Sequence, residues 1–369
     1  MIYYALGDAL ITSEELFTSN NFDKVAKFTS DLQTKKSPDS IEFSTGTLNV
    51  ENLNKPVGFK DIGLGLPLTL MLREVYTGKY PKGNLFGGKK DMFLTSAIKS
   101  ITSFEAKPRA INYLLDNVKS NSNIERPSPS KEGTPFIFYS PALLDRSLTL
   151  ELNMVFDNFP QEVFDQVSGF LTSAGAIPAF LAQSVYLIGA GILVKLLGSG
   201  GEAIFDGSPI FTSNDAIDIF LPGKPPILAG FVLVTSDNVD QVDATFRKKY
   251  QVNEKGQVVD SGGNSYTGDV PYMVISLDGT KDDKLNDFAP TAASAALLSR
   301  FFGVKNKQEQ SLDIMLNALK LYNDLKFRRE IDQLDEQIKK ATGEVKTELE
   351  KKRKALEENI LEEILKPKP

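Results

Sequence analysis

A serine and a lysine three residues apart offer the clearest catalytic chemistry in this sequence. Ser96-Ala97-Ile98-Lys99 has the spacing S-x-x-K, in which a lysine amine can take the proton of a serine hydroxyl. Such a pair can attack a carbonyl carbon without help from histidine. The 369-residue chain contains no His, Cys or Trp, which excludes a Ser-His-Asp triad, a thiolate nucleophile and a disulfide bond. Ser96 and Lys99 are therefore the candidate catalytic residues.

Two further short motifs extend this pattern. Ser236-Asp237-Asn238 fits S-D-N, and Lys340-Ala341-Thr342-Gly343 differs from K-T-G by one additional residue. Together with S-x-x-K they resemble the motifs of serine β-lactamases and penicillin-binding proteins. The resemblance implies a Ser-Lys acyl-transfer enzyme with Ser96 as its nucleophile. The sequence departs from that family because Ser96 lies in a strand-like run rather than at a helix start, and Lys340–Gly343 lies in a charged helical region rather than on a core strand.

Aspartates cluster on two predicted loops and could bind a divalent cation. Calcium prefers several carboxylate oxygens gathered from neighbouring loops, but neither cluster has the D-x-[DN]-x-[DN]-G spacing. Loop carboxylates also cap turns and helix starts, which is the simpler interpretation. No cofactor is expected. The candidate metal ligands are Asp237, Asp278, Asp282 and Asp283.

The stretch Gln166–Val194 contains 29 residues without Asp, Glu, Lys or Arg. A run of about 18 or more apolar residues is typical of a membrane-spanning helix. Pro178 breaks this run, however, and Gln183 and Ser184 interrupt its apolar surface. We therefore expect an apolar helical insertion at residues 159–202, buried in the core. If the stretch enters a membrane instead, the inserting side chains would be Phe180, Leu181, Tyr186, Leu187, Ile188, Ile192 and Leu193.

Short alternating runs separated by Gly, Pro, Asp and Asn predict an antiparallel sheet protein. Leu148–Phe156 is the clearest of these runs, since every second residue is apolar. The predicted class is α+β, with an antiparallel β-sandwich or partial barrel. The predicted domains are an N-terminal mixed region (1–82), the sandwich with its helical insertion (83–304) and a charged C-terminal helical hairpin (305–369).

The N-terminal half also contains stretches that suggest helices. Residues 1–36 carry the capping box Thr12-Ser13-Glu14-Glu15, with Ser/Thr followed three residues later by Glu. Apolar runs predict further helices over Ile62–Tyr76 and Arg109–Asn117. The Thr45-Gly46 pair, between short alternating runs, predicts a hairpin turn.

The C-terminal 65 residues, from Lys305 onwards, differ in composition from the rest. They hold 15 Lys or Arg and 14 Asp or Glu, while apolar residues recur near heptad spacing on two helices separated by Ala341-Thr342-Gly343. This pattern predicts a solvent-exposed antiparallel helical hairpin. The residues expected to contact a protein partner are Leu319, Tyr322, Leu334, Ile338, Leu349 and Leu356.

Composition limits the remaining functions. The net charge of −6 and the pI near 5.1 argue against general nucleic-acid binding. The first residues lack a basic segment followed by an apolar core, so we expect a cytoplasmic protein. The leading hypothesis is a non-catalytic protein–protein interaction or effector protein that binds through the hairpin. The alternatives are a membrane-active protein that inserts residues 166–194 and the Ser-Lys acyl-transfer enzyme.

Overall fold

The computed structural model describes much of the chain. The described residues are 1–18, parts of 21–31, 40–48, 59–82, 89–99, 108–124, 133–161, 164–165, 187–189, 210–219, 227–237, 242–282, 285 and 309–367. Within them the fold is α+β, as predicted, with antiparallel sheets and a C-terminal pair of helices. The described sheets are not closed into a barrel.

The strands and helices are numbered in chain order. The strands are β1 (Ile2–Leu6), β2 (Ala9–Thr12), β3 (Ile41–Phe43), β4 (Gly46–Leu48), β5 (Leu68–Tyr76), β6 (Lys90–Lys99), β7 (Pro108–Val118), β8 (Asn123–Ile124), β9 (Phe136–Ser140), β10 (Ser147–Asp157), β11 (Leu187–Gly189), β12 (Phe211–Asp218), β13 (Gly230–Thr235), β14 (Tyr250–Val252), β15 (Val258–Asp260) and β16 (Tyr272–Asp278). The helices are α1 (Ser13–Phe17), α2 (Ala244–Lys249), α3 (Glu309–Ile338) and α4 (Gly343–Glu358), followed by a 3₁₀ turn at Glu363–Leu365.

Two sheets face each other across the main core. One has the order β2-β1-β13-β16-β5-β8, with β9 also paired to β5, and the other has the order β11-β7-β6-β10-β12. Every second residue of β10 points inward, as the alternation predicted. Leu150 and Leu152 are fully buried there, in the same apolar cluster as Leu70 of β5 and Val232 of β13. In the first of these sheets, strands from residues 1–82 are hydrogen-bonded to strands from residues 83–304.

The outer face of the seven-stranded sheet is covered by residues 242–270, which include α2 and the β14–β15 hairpin. A second apolar cluster fills this contact, with Tyr76, Tyr272 and Phe246 among its members. A bulge at Arg73 makes this packing possible because it reverses which residues of β5 face outward. Leu68, Leu70 and Leu72 precede the bulge and point into the main core, whereas Glu74 and Tyr76 follow it and point outward.

Glu74 is the buried carboxyl group of this outer layer. It is 4% exposed, and its Oε2 accepts hydrogen bonds from the Val258 backbone N–H (2.9 Å) and the Tyr272 hydroxyl (3.2 Å). Burial raises the pKa of Glu74 to about 7, although both hydrogen bonds favour the ionised form. Glu74 therefore joins β5 to β15 and β16 with a carboxyl group that titrates near neutral pH.

Several predicted helices are wrong. Ile62–Tyr76 contributes β5, and Arg109–Asn117 lies within β7. The helical prediction for residues 1–36 fails at β1 and β2. These strands pack on both faces and so lack clean alternation, and apolar periodicity alone does not separate such strands from helices.

Two local predictions in the N-terminal region are confirmed. The capping box is present: Thr12 Oγ1 accepts from the Glu15 N–H at 3.1 Å, and Glu15 Oε2 accepts from the Thr12 N–H at 2.9 Å. The predicted hairpin is formed by β3 and β4, which pair on either side of the turn that precedes Gly46. The capping box and the hairpin turn are both set by residues that are close in sequence. They could therefore be predicted correctly although the helices around them were predicted wrongly.

Most of the uncharged stretch 166–194 lies outside the described residues, as do its predicted membrane-facing side chains. The described part is β11, which pairs with β7 at the edge of the five-stranded sheet. The helical prediction is therefore wrong for residues 187–189. Among the helices that the structure describes, none is both long and apolar enough to cross a bilayer.

The C-terminal hairpin is confirmed. Helices α3 and α4 pair, and the turn between them contains Thr342 and Gly343, with Gly343 at φ +61°. The pair is also attached to the sandwich. Asn359 Nδ2 donates hydrogen bonds to the carbonyl oxygens of Ala142 (2.7 Å) and Ala355 (2.8 Å), and Leu144 packs against the hairpin interior.

Candidate functional site

The structure does not bring the predicted catalytic serine and lysine together. Ser96 lies in the middle of β6, pairs with Leu152 and is 1% exposed. Its Oγ has no hydrogen-bond partner among the described residues. Lys99 is three residues further along the same strand and therefore points to the opposite face, where it is exposed. A proton cannot pass directly between two side chains that lie on opposite faces of a sheet.

The other two motifs occupy structural positions. Ser236 is buried and exchanges hydrogen bonds with the backbone of Thr212, each 3.2 Å long. Its motif partner Asn238 lies outside the described residues. Lys340–Gly343 forms the turn between α3 and α4, as its charged context suggested. Ser236 thus joins β12 to the end of β13.

The candidate metal ligands make hydrogen bonds within the protein where the structure describes them. Asp237 accepts hydrogen bonds from the Asn214 N–H (2.9 Å) and the Met1 amino group (2.8 Å). Asp278 accepts from the Lys60 N–H at 3.0 Å, and the Asp282 N–H donates to the Tyr139 hydroxyl at 3.2 Å. Asp283 lies outside the described residues. Within the described ranges no group of three acidic side chains is placed to hold an ion.

The predicted partner-binding residues divide into an interior set and an exposed set. Leu334 and Leu356 are buried between the two helices, and Ile338 and Leu349 pack against them. The side chain of Leu319 lies outside the described residues, whereas Tyr322 is 56% exposed. We call the buried set the hairpin core; its members are Phe327, Ile331, Leu334, Leu356 and Ile360.

A charged clamp fixes the register of the two helices. Arg353 of α4 donates to Asp335 of α3 at 2.6 Å and to Glu357 at 2.8 Å. The hydrogen bond to Asp335 holds the pKa of the Arg353 guanidinium above its usual value. These side chains are partly exposed, so each pair is worth about 1 kcal/mol or less. The clamp specifies alignment more than it adds stability.

A buried aspartate holds the C-terminal tail along α3. Asp324 is buried, and its Oδ2 accepts from the backbone N–H groups of Leu361 (3.2 Å) and Glu362 (2.8 Å). One turn further along α3, Arg328 reaches the carbonyl oxygen of Leu365 at 3.5 Å. Residues 361–365 therefore lie against one side of the helix.

Large apolar side chains are exposed on the same part of α3. Leu321 and Leu325 lie one turn apart, and Tyr322 is a neighbour of Leu325 at i,i+3 spacing. We call these residues, together with Ile364 of the tail, the hairpin patch. Their exposed fractions are Leu321 47%, Tyr322 56%, Leu325 50% and Ile364 89%. Clustered large apolar side chains on a surface mark an interaction site more often than scattered ones do.

Two basic residues border the hairpin patch. Lys326 and Arg329 are exposed on α3, and neither makes an ion pair with another residue that the structure describes. Their positive charge lies beside the apolar row, on a helix whose opposite side forms the hairpin core. On α3 the patch therefore combines an apolar row with two basic neighbours, whereas Ile364 is preceded by the exposed acids Glu362 and Glu363.

Sequence reasoning identified only Tyr322 of this patch. The heptad pattern selected the side of α3 that faces α4, so Leu321 and Leu325 appeared to be off register. The i,i+4 spacing of Leu321 and Leu325 was the sequence feature that could have identified them. The position of Ile364 depends on the contact between Asp324 and the tail, which is not visible in the sequence.

Comparisons with family models, curated proteins and solved structures find no significant match. The function must therefore be inferred from the geometry of the chain itself. Among the sequence-predicted sites, the hairpin has exposed side chains that can contact another molecule. The side chains of Ser96 and Lys99, by contrast, lie on opposite faces of β6.

Proposed function

We propose that this chain is a non-catalytic interaction protein that binds a partner protein through the hairpin patch. The observation that carries the proposal is the exposure of Leu321, Tyr322, Leu325 and Ile364 on a helix pair whose own core is already filled. Leu321, Leu325 and Ile364 are not members of the hairpin core, which has its own apolar side chains. Their exposure is more simply explained by contact with a second molecule.

The chemistry around the patch favours an amphipathic helix as the bound segment. A helix laid along the side of α3 would place its own apolar row against Leu321 and Leu325. Acidic residues beside that row would meet Lys326 and Arg329, which raises the rate of association and discriminates against basic partners. The proposed partner segment is therefore an apolar row bordered by Asp or Glu.

The patch alone supports only modest affinity. Each leucine is already about half-buried, so complete burial would contribute roughly 1 kcal/mol apiece. Association must also offset the loss of rotational and translational freedom, which costs at least about 4 kcal/mol. We therefore expect a transient complex in which Tyr322, the aromatic residue of the patch, contributes the largest share.

Site-specific cross-linking in the full-length chain tests this function. A photo-reactive phenylalanine analogue replaces Tyr322 in one variant of the chain and Val345 in a second variant. Each variant is produced in the native cell and irradiated there. Val345 is a matched control because it is 62% exposed on the same hairpin. Val345 lies near the start of α4, beyond the end of α3, so it is roughly 25 Å from Tyr322 along the axis of the hairpin. We expect one dominant cross-linked protein at position 322 and none at position 345.

The cross-linked partner is then purified and titrated against single variants. Leu325→Asp should weaken binding by about tenfold or more, because it places a charge in the apolar row. Val345→Asp should leave the dissociation constant unchanged. Equal cross-linking at both positions, or equal affinity of Leu325→Asp and the parent chain, would overturn the proposal.

A further inference from the structure

A cleft of about 510 Å³ lies on the outer side of the seven-stranded sheet, between α2 and residues 266–270. Its floor consists of three aromatic rings. The Phe246 centroid is 5.0 Å from those of Tyr250 and Tyr266, and the rings of Tyr250 and Tyr266 are perpendicular, 5.1 Å apart. Phe246 and Tyr266 are buried, whereas Tyr250 is partly exposed. Tyr250 is therefore the most accessible of the three rings, and the Lys249 ammonium lies over it, with Nζ 5.1 Å from the ring centroid. This flexible side chain must move aside before a ligand can stack on that face.

The layer beneath this floor is fixed by packing and hydrogen bonds. Tyr266 packs edge-on against Tyr76 at 5.3 Å and lies 5.8 Å from Tyr272. The Tyr266 hydroxyl accepts from the Val270 N–H at 3.1 Å, and the Tyr76 hydroxyl donates to the Gly268 carbonyl at 2.8 Å. A ring platform that is ordered before binding loses little conformational freedom when a ligand arrives.

Each wall of the cleft carries one acid and one base. Asp243 is the N-cap of α2, where its Oδ1 accepts from the Phe246 N–H at 2.7 Å, and Lys249 ends the helix, so both belong to the helix wall. Lys79 and Asp269 lie on the opposite wall, where the Lys79 N–H donates to the Asp269 carbonyl at 2.9 Å. The charges of the lining cancel, so a strongly charged ligand would meet a like charge on either wall. Carboxylates and ammonium groups together can accept from and donate to the hydroxyl groups of a neutral ligand.

We propose that this cleft binds a neutral carbohydrate. One sugar ring would stack its C–H face on Tyr250, and its hydroxyl groups would hydrogen-bond to Asp243, Lys249 and Asp269. Sugars suit a shallow, wet site of this kind because they combine an apolar face with a rim of groups that both donate and accept. The proposal is independent of the hairpin patch, since none of these residues belongs to the C-terminal helices.

Binding is measured on the full-length chain by titration calorimetry and by tyrosine fluorescence, which is usable because the chain has no Trp. The probes are maltotriose, cellotriose, xylotriose and chitotriose, with a heparin disaccharide and the peptide Gly-Tyr-Gly as comparators. We expect at least one neutral oligosaccharide to bind. Tyr250→Ala should weaken that binding by about tenfold, whereas Tyr250→Phe should preserve it because stacking needs only the ring.

Two controls separate loss of the ligand contact from loss of the fold. Lys255→Ala changes an exposed residue of the β14–β15 turn outside the cleft lining, and its affinity should equal that of the parent chain. Tyr250→Phe keeps both the ring and its packing, so it isolates the contribution of the hydroxyl group. Circular dichroism of Tyr250→Ala, which should match that of the parent chain, shows that the fold is kept when the ring is removed. The proposal fails if no neutral probe binds, if Tyr250→Ala binds as well as the parent, or if the heparin disaccharide or the peptide binds more tightly than every sugar.

Discussion

The sandwich and the C-terminal hairpin are stabilised in different ways. In the sandwich, strands distant in sequence pair along their whole length, and fully buried side chains from both sheets form one continuous cluster. In the hairpin, two neighbouring helices share a small core, a partly exposed charged clamp and a tail attached through Asp324. The sandwich thus depends on apolar burial, whereas the hairpin depends more heavily on a few polar contacts.

This difference implies that the two regions open separately. A unit with a small core and few attachments can unfold locally at a lower free energy than the whole chain. The hairpin meets the sandwich through Asn359 and Leu144, among the contacts that the structure describes. We therefore expect the surface proposed to bind a partner to be the less stable of the two, and the following substitutions examine that expectation.

Leu152→Ala should have the largest effect on global stability. Leu152 is fully buried between the sheets, and its truncation leaves a cavity, so we expect a loss of about 2–5 kcal/mol in the free energy of unfolding. Chemical denaturation with circular dichroism measures the loss. Thr149→Ala, at a partly exposed position of the same strand, should change stability by less than about 0.5 kcal/mol. Equal losses for the two variants would contradict the assignment of the core.

Glu74→Gln should change how the sandwich responds to pH. The raised pKa of Glu74 means that the folded state holds a proton that the unfolded state has released between pH 4.5 and about 7. The parent chain therefore loses stability across this window as pH rises, by roughly 3 kcal/mol. Gln stays neutral, so the stability of the variant relative to the parent should increase over the same window and stay constant above it. If the difference in stability between the variant and the parent chain does not change with pH, the pKa of Glu74 is not raised.

Asp324→Ala should destabilise the hairpin without destabilising the sandwich. The substitution removes the acceptor for two backbone N–H groups of the tail, and hydrogen bonds to charged groups are worth about 1.5–3 kcal/mol. Hydrogen exchange should become faster at residues 359–365 and stay slow in β10 and β13. Faster exchange throughout the sandwich would mean that the two regions unfold as one unit.

Arg353→Ala should have the smallest effect. Its ion pairs with Asp335 and Glu357 are partly exposed, so removing them should cost about 1 kcal/mol or less, and the cost should shrink at high salt. Thermal unfolding at low and high salt measures this dependence. A large, salt-independent loss would indicate that Arg353 stabilises the hairpin through packing of its apolar stem.

The features that could be predicted from the sequence are those set by local patterns. The alternation of β10 identified its inward-facing leucines, and the Thr12–Glu15 capping box and the turn before Gly343 were found from their residue types. Strand β5 was missed because both of its faces are buried and the bulge at Arg73 interrupts its period. For Ser96 and Lys99, both the spacing and the strand-like run were recognised, and the structure confirms the strand, which places the two side chains on opposite faces.

The hairpin patch and the cleft could be predicted from the sequence even less well than the strands and helices. The hairpin patch depends on where the tail returns to α3, and the cleft unites Lys79 with residues 242–270, which are distant in sequence. No local pattern encodes either arrangement. The cleft did leave one sequence trace, the tyrosines Tyr250, Tyr266 and Tyr272 within a short segment, but only the fold places two of them on a common floor.

The order of strands in the seven-stranded sheet has a consequence for how the protein is made. Strand β1 lies between β2 and β13, and β5 reaches β1 only through β13 and β16. During synthesis, β1 and β5 therefore remain without β13 and β16 until about 200 further residues have been translated. Their exposed strand edges and apolar faces persist through this interval, since long-range pairing is slow and unpaired edges invite aggregation. The nascent chain should thus be most prone to aggregation before β16, which ends at Asp278, has emerged.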